Sequence, residues 1–204
     1  MRANTHITEV RKFPQQIRSQ RRVEKILAAA IDVFREVGFE AATTNEIAAR
    51  AEVSIGSLYQ FYPNKSAILN ALGARCLTDL RVLLDQAISS DSLEIPFEAL
   101  LDRVLNALHV FSIQNNGLFA AISKSPTLGE FVSAENQFVE EIIRRLEFNL
   151  EHRVPDLDPK KRHIMAKTCV ICVHALFETR QSEHHEALML EAKKVVMAYL
   201  QPVL

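Results

Sequence analysis

The chain has 204 residues, of which 48% are hydrophobic and 24% charged, and its formal net charge is −1. This balance is typical of a soluble globular protein, and the length suffices for one large domain or two small ones. No apolar run approaches the roughly 20 residues that span a bilayer, and the polar N-terminus has no secretory signal, so we expect a cytoplasmic protein with no membrane partner.

Charge is distributed unevenly along the chain. Residues 1–25 carry seven basic and two acidic residues, a surplus of five, so the rest of the chain sums to −6. A basic end on a mildly acidic body is expected when only that end contacts nucleic-acid phosphates, although a solvated tail has the same charge. Residues 1–20 lack helical periodicity and contain Pro14, so we predict a basic flexible arm over 1–20.

Two helices are predicted after this arm. Apolar residues between Ile26 and Val37 recur at helical spacing, which indicates a first helix over about 21–38. Thr43 and Glu46 have the spacing of a capping box, in which the side chain of each residue accepts a hydrogen bond from the backbone N–H of the other. A second, short helix therefore follows the Thr43 cap and ends near Ala51.

A third helix follows, and its outward face is unusual. Ser54 can cap this helix and Pro63 ends it, and helices so short must pack across the first one to be stable. The residues expected to face inward are Phe34, Ile47, Ala48, Val53, Leu58 and Tyr62. Those expected to face outward are Ser54, Ile55, Gly56, Ser57, Tyr59, Gln60 and Phe61. The outward set carries no charge, which favours a surface that approaches the grooves of DNA and predicts a helix-turn-helix domain over 21–66.

Residues 38–48 (GFEAATTNEIA) and 51–69 (AEVSIGSLYQFYPNKSAIL) resemble the helix-turn-helix of the TetR family of transcriptional regulators. The match covers about residues 22–70. It implies an all-α fold of about nine helices, with an N-terminal three-helix DNA-binding domain and a C-terminal helical domain over 67–204 for ligand binding and dimerisation. Glu52 replaces the family's turn glycine, which costs about 1 kcal/mol if the residue is left-handed. Phe61 stands where the family commonly has His or Tyr, and Tyr62 stands where it has Phe.

The resemblance also implies roles for individual residues. Those implied to contact DNA phosphates are Thr43, Thr44, Tyr59 and Lys65, and Gly56 is implied to let the backbone come close to the DNA. Base reading then falls to Ser54, Ile55, Ser57 and Gln60. Gln60 can bond adenine through two hydrogen bonds, and Ile55 can contact a thymine methyl group. The alternative for each residue is an idle surface side chain.

The rest of the chain predicts six more helices and no strand. They cover about 65–88, 96–113, 117–123, 127–152, 159–183 and 185–200. The last two are apolar on more than one face, which indicates a homodimer interface containing Ile171 and Val195. The alternative is a last helix that only wraps a monomer core. A dimer also suits DNA, since two recognition helices must lie about 34 Å apart on one duplex.

A ligand pocket is predicted in this C-terminal region, because seven of the eleven Phe residues lie there. A largely apolar cavity with a few polar groups is the usual small-molecule site. The candidate lining residues are Phe97, Leu101, Leu105, Leu108, His109, Ser112, Phe119, Phe138 and Ile142. An ordinary packed core is the alternative for each. We expect a small apolar or amphipathic effector of unknown identity that releases the protein from DNA.

Other functional classes fit less well. The C-x-x-C of Cys169 and Cys172 lies in an apolar helical run, so buried core residues are expected, with a metal- or thiol-responsive regulator as the alternative. We predict no metal site, no cofactor and no catalytic residue, because the sequence lacks the motifs of hydrolases, phosphate-binding loops and metalloproteases. A non-specific DNA-binding protein is less consistent with the acidic body. The sequence therefore predicts a ligand-responsive repressor that binds a palindromic double-stranded DNA operator as a homodimer.

Overall fold

A computed structural model of the chain describes residues 17–115, 129–178 and 184–204. These residues form eight α-helices and one short 3₁₀ turn, and they contain no strand. The helices are α1 (Ile17–Ala41), α2 (Thr44–Arg50), α3 (Ile55–Phe61), α4 (Lys65–Ala87), α5 (Phe97–Gln114), α6 (Gly129–Arg153), α7 (Pro159–Glu178) and α8 (His185–Leu200), and the 3₁₀ turn is Ser90–Leu93. The all-α fold predicted from the sequence is confirmed.

The helix bounds differ from the predicted ones mainly at the N-terminus. Helix α1 begins at Ile17, so residues 17–20 of the predicted flexible arm are helical. Residues 1–16 of the arm and the predicted helix over 117–123 lie outside the described residues. No helix in the described part of the chain is long and apolar enough to cross a membrane.

The described residues divide into two compact units. The first consists of residues 17–76 with 129–132, and the second of residues 77–115, 133–178 and 184–204. Helix α4 contributes its first part to one unit and its remainder to the other. The domain boundary predicted between residues 66 and 67 falls inside this helix.

The core of the first unit forms on one face of α1. The buried residues of α1 before Gly38 follow helical spacing, and they are Ile26, Leu27, Ala29, Ala30, Val33 and Phe34. At Gly38 the backbone leaves the helix with φ 78° and ψ 164°, a conformation that a residue with a Cβ rarely adopts. This bend places the Phe39 ring 5.4 Å from the Phe34 ring, so the chain closes over its own core before α2 begins.

Ion pairs and apolar contacts join the helices of the second unit. Helix α5 and helix α7 both pack against α8. The Lys193 ammonium lies 2.9 Å from Glu98 and 2.8 Å from Asp102, which ties α8 to α5. Glu141 accepts from Arg81 at 2.8 Å and from Arg145 at 2.6 Å, and these guanidinium groups hold the pKa of the Glu141 carboxyl below its usual value.

Candidate nucleic-acid interface

Side-chain caps fix the start of both short helices in the first unit. The Thr43 hydroxyl accepts from the Glu46 N–H at 3.2 Å, while the Glu46 carboxylate accepts from the Thr43 N–H at 2.9 Å. The Ser54 hydroxyl accepts from the Ser57 N–H at 3.1 Å at the start of α3. The predicted capping box and the predicted Ser54 cap are both confirmed. These caps hold α2 and α3 in place although each has only seven residues.

Two of the predicted phosphate-contacting residues lie next to each other. The Tyr59 hydroxyl is 3.1 Å from the Thr44 hydroxyl, so a hydrogen bond joins α3 to the start of α2. Tyr59 keeps 42% of its surface exposed although it makes this bond. The pair therefore presents two hydroxyl groups at one place on the surface, and the hydroxyl that accepts in this bond keeps its own hydrogen to donate to an anion.

A surface depression of about 510 Å³ lies beside α3. Its lining includes three predicted base-reading residues, Ser54, Ser57 and Gln60, together with Arg22, Glu52, Val53 and Gly56. The sequence did not single out Arg22, because seven bases precede residue 26 and only the phase of α1 decides which of them faces α3. The structure thus adds one cation to the predicted recognition surface.

Gly56 lies in α3 with open space above it. A Cβ built at this position would have nothing within 4 Å apart from its chain neighbours and the backbone of its own helix, so packing inside the protein does not require glycine here. The neighbouring Ile55 side chain is 37% exposed and is also available to a partner. Both positions present apolar surface that a DNA groove could contact.

Lys65 is engaged by the protein itself. Its ammonium donates to the carbonyl oxygens of Phe39, Glu40 and Ala42 at 2.8, 2.7 and 3.2 Å. It also lies 4.8 Å from the centre of the Phe39 ring. These carbonyls follow the bend at Gly38, so Lys65 stabilises the turn between α1 and α2. To make its predicted contact with a DNA phosphate, the Lys65 ammonium would have to give up some of these hydrogen bonds.

The prediction for Phe61 is wrong. This side chain was expected on the outward face of α3, but it is only 2% exposed. Phe61 is the last residue of α3, and both it and Tyr62 enter the core of the unit. Burial raises the pKa of the Tyr62 phenol to about 12. The two aromatic residues therefore attach α3 to the core of the unit and are not exposed to a partner.

Glu52 forms the turn between α2 and α3. Its φ of 55° is left-handed, which costs a residue with a Cβ about 1 kcal/mol or more. The Glu52 carboxylate lies 3.1 Å from the Lys25 ammonium of α1. Glu52 is therefore left-handed, the case in which the sequence predicts this cost, and it is one of the residues that line the depression.

Two protein-family models match the chain. Residues 26–72 match the model described as bacterial regulatory proteins, tetR family. Residues 96–200, slightly more than half of the chain, match the model described as tetracyclin repressor-like, C-terminal domain.

The chain belongs to the TetR family.

Individual relatives agree with this TetR-family assignment. The uncharacterized HTH-type transcriptional regulator YdeS of Bacillus subtilis is 46% identical over 44 residues, which are 22% of either chain. YhgD of the same organism, with the same description, is 25% identical over 126 residues, 62% of this chain and 61% of its own. Both matches span less than two thirds of the relative's length. A TetR-like transcriptional regulator from Rhodococcus sp. RHA1 has the same fold, with a TM-score of 0.69 and 20% identity over 93% of this chain and 99% of its own.

The predicted ligand-binding residues lie in the part matched by the TetR-family C-terminal model. Those that are buried are Phe97, Leu101, Leu105, Leu108, Ser112 and Phe138, whereas His109 and Ile142 are half-buried and Phe119 lies outside the described residues. The Ser112 hydroxyl donates to the His109 carbonyl at 2.8 Å. Phe97 and Phe138 are each covered by a guanidinium group, from Arg153 at 5.8 Å and Arg81 at 5.2 Å.

A pocket lined by all of the predicted residues would be elongated. Phe97 and Ser112 are fifteen positions apart on α5, which is about 22 Å at 1.5 Å per residue. A typical pocket of about 300–1,000 Å³ is roughly 10 Å across. Near the C-terminal end of α5, the His185 ring of α8 stacks on the His109 ring at 6.1 Å.

The C-x-x-C segment has the character of a packed helix. Cys169 is buried, and burial raises the pKa of its thiol to about 12, so the thiolate that binds metals or reacts with oxidants is disfavoured. The His174 ring lies 3.5 Å from Glu135 on α6. Among the described residues, no group of three or more His, Cys, Asp or Glu residues could hold a metal ion.

Proposed function

We propose that this TetR-family protein is a ligand-responsive repressor that binds a palindromic operator as a homodimer. The observation that carries the proposal is the exposed, uncharged face of α3 beside the depression that Arg22 lines. Hydroxyl, amide and apolar groups on such a face suit the edges of bases, and a neighbouring cation suits phosphate. Thr43, Thr44 and Tyr59 would position the duplex, while Ser54, Ile55 and Gln60 would read it. Ser57, which the sequence also predicts to read bases, has a buried hydroxyl oxygen and is a weaker candidate.

A second copy of the chain is the proposed partner of α7 and α8. Both Ile164 and Ile171 are more than half exposed, and with Thr168 and Ala175 they recur at intervals of four, three and four residues along α7. Leu190 and Val195 of α8 are 63% and 56% exposed. Large apolar groups exposed on two adjacent helices favour burial against an identical surface.

The proposed effector is apolar or amphipathic and binds near the C-terminal end of α5. Leu105, Leu108 and Ser112 are buried there, and the rings of His109 and His185 supply polar groups. Thermal unfolding and operator binding, measured against panels of apolar compounds and of metal salts, test this part of the proposal. A rise in melting temperature with loss of operator binding is expected only for organic compounds, and a response confined to metals would contradict it.

Replacing Gly56 with Ala should have opposite effects on stability and on DNA binding. A Cβ there meets nothing beyond its neighbours and the backbone of α3, and alanine is the better helix former by about 0.5–1 kcal/mol, so the free energy of unfolding should rise. Affinity for DNA should fall because the new methyl group meets the duplex. Chemical denaturation and fluorescence anisotropy measure the two effects. Unchanged affinity would show that the backbone at Gly56 does not approach DNA.

Substitutions of Tyr59 and Gln60 should affect DNA binding in two different ways. Tyr59→Phe removes a hydroxyl but no base contact, so affinity should fall by a similar factor for every sequence. Gln60→Ala should instead relax the preference at one base pair per half-site, at a cost of about 1–3 kcal/mol for the preferred base. Competition binding with single-base operator variants distinguishes the two. A uniform loss for Gln60→Ala would rule out base reading by this residue.

A further inference from the structure

Glu52 is an acidic residue at the edge of the surface proposed to bind DNA. It lines the depression together with Arg22 and Gln60. A carboxylate at this place repels phosphate groups, and α3 itself has no charged residue that would offset it. The Glu52 carboxylate therefore lowers the affinity for the DNA backbone, which is useful only if weaker backbone contact is itself an advantage.

Stability does not account for this residue. The left-handed backbone at Glu52 is a conformation that glycine adopts without strain. The ion pair with Lys25 has side chains that are 81% and 56% exposed, for Glu52 and Lys25 respectively, and such exposed pairs add little to folding. A strained residue whose contacts stabilise the fold so weakly points to a functional role.

We propose that Glu52 weakens binding to the DNA backbone because its carboxylate offsets the charge of Lys25, with which it pairs at the turn that precedes α3. Arg22 and Lys25 carry two positive charges and Glu52 one negative charge, so the three groups sum to +1 instead of +2. This inference rests on the proposed function. Since backbone contacts supply essentially all of the affinity for arbitrary sequences, the carboxylate limits how long the protein stays on the many competing sites of a genome.

The test compares Glu52→Gln with the wild-type protein. Glutamine keeps the length of the side chain and the backbone conformation but removes the charge. Asp32→Asn is the matched control, because it frees Arg35 from an exposed ion pair of 2.6 Å in the same unit without changing the depression. Binding to a scrambled duplex is measured by fluorescence anisotropy over a range of salt concentrations.

Glu52→Gln should bind the scrambled duplex more tightly, with a salt dependence steeper by about 0.9, because the released Lys25 ammonium can neutralise one more phosphate. Raising the salt from about 50 to 200 mM should then cost this variant roughly threefold more affinity than it costs the wild type. Asp32→Asn should behave like the wild type, and in a Lys25→Ala background the effect of Glu52→Gln on the slope should disappear.

Three results would overturn the inference alone, with the wild type still binding DNA. They are unchanged affinity and slope for Glu52→Gln, an equal increase in affinity for Asp32→Asn, and a change confined to the preference at one base pair, which would make Glu52 a base-reading residue. A wild type that binds no duplex would overturn the proposed function and this inference with it.

Discussion

Val195→Lys should convert the protein from a dimer into a monomer and nearly abolish operator binding. Val195 is 56% exposed on α8 within one chain, so the interface proposed above would bury the new ammonium group against a second copy of itself. An unpaired buried charge costs about 3–5 kcal/mol, which raises the dissociation constant of the dimer by at least about 100-fold. Ile171→Lys on α7, at 51% exposure, should have the same effect. Analytical ultracentrifugation measures the first consequence, and anisotropy with operator DNA the second.

Val82→Lys is the matched control for this experiment. Val82 is the same residue type, is 50% exposed and lies on α4, outside the proposed interface. It should leave both the dimer and DNA binding unchanged. A wild type that sediments as a monomer at micromolar concentration would contradict the dimer, as would equal effects of Val82→Lys and Val195→Lys.

Lys65→Met should lower the free energy of unfolding by about 2 kcal/mol, because the methionine leaves three carbonyl groups without their charged donor. The turn between α1 and α2 would loosen, and with it the start of α2 that carries Thr44. DNA affinity should therefore fall by a similar factor for all sequences, while the salt dependence keeps its wild-type slope. Urea denaturation and salt-dependent anisotropy measure these quantities.

The slope separates the two roles that Lys65 could have. If the ammonium contacts a phosphate, the salt dependence should flatten by about 0.9 and stability should change little. Lys25→Met serves as the control for stability, since Lys25 lies in the same unit and its side chain makes an exposed ion pair within the described part of the chain. It should change the free energy of unfolding by less than about 1 kcal/mol. A stable Lys65→Met variant with a flattened slope would show that phosphate contact is the main role.

Local signals in the sequence were sufficient for the features that depend on neighbouring residues. The cap formed by Thr43 and Glu46 involves residues three positions apart, and the Ser54 cap is equally local. The left-handed turn at Glu52 could be anticipated because the TetR-family pattern that this sequence resembles has a turn glycine at that position. Such features require no knowledge of how distant parts of the chain meet.

Features that depend on distant residues could not be predicted in this way. Lys65 reaches carbonyl groups that precede it by 23 to 26 positions, and only the bend at Gly38 brings them within range. The burial of Phe61 depends on how the last turn of α3 meets the core. The place of Arg22 beside α3 depends on the phase of α1, which begins earlier than its apolar pattern indicates. The ligand-binding residues stay predictions, because a pocket also depends on how distant parts of the chain pack together.

Selection of bound fragments from random DNA tests the central claim most directly. The proposed function predicts enrichment of a palindromic site whose half-sites lie about 10 base pairs, or 34 Å, apart or at a multiple of that distance. Repeating the selection with Gln60→Ala should relax one position in each half-site and leave the spacing unchanged. Recovery of no preferred sequence, or of a single half-site without a symmetric mate, would contradict sequence-specific binding by a dimer.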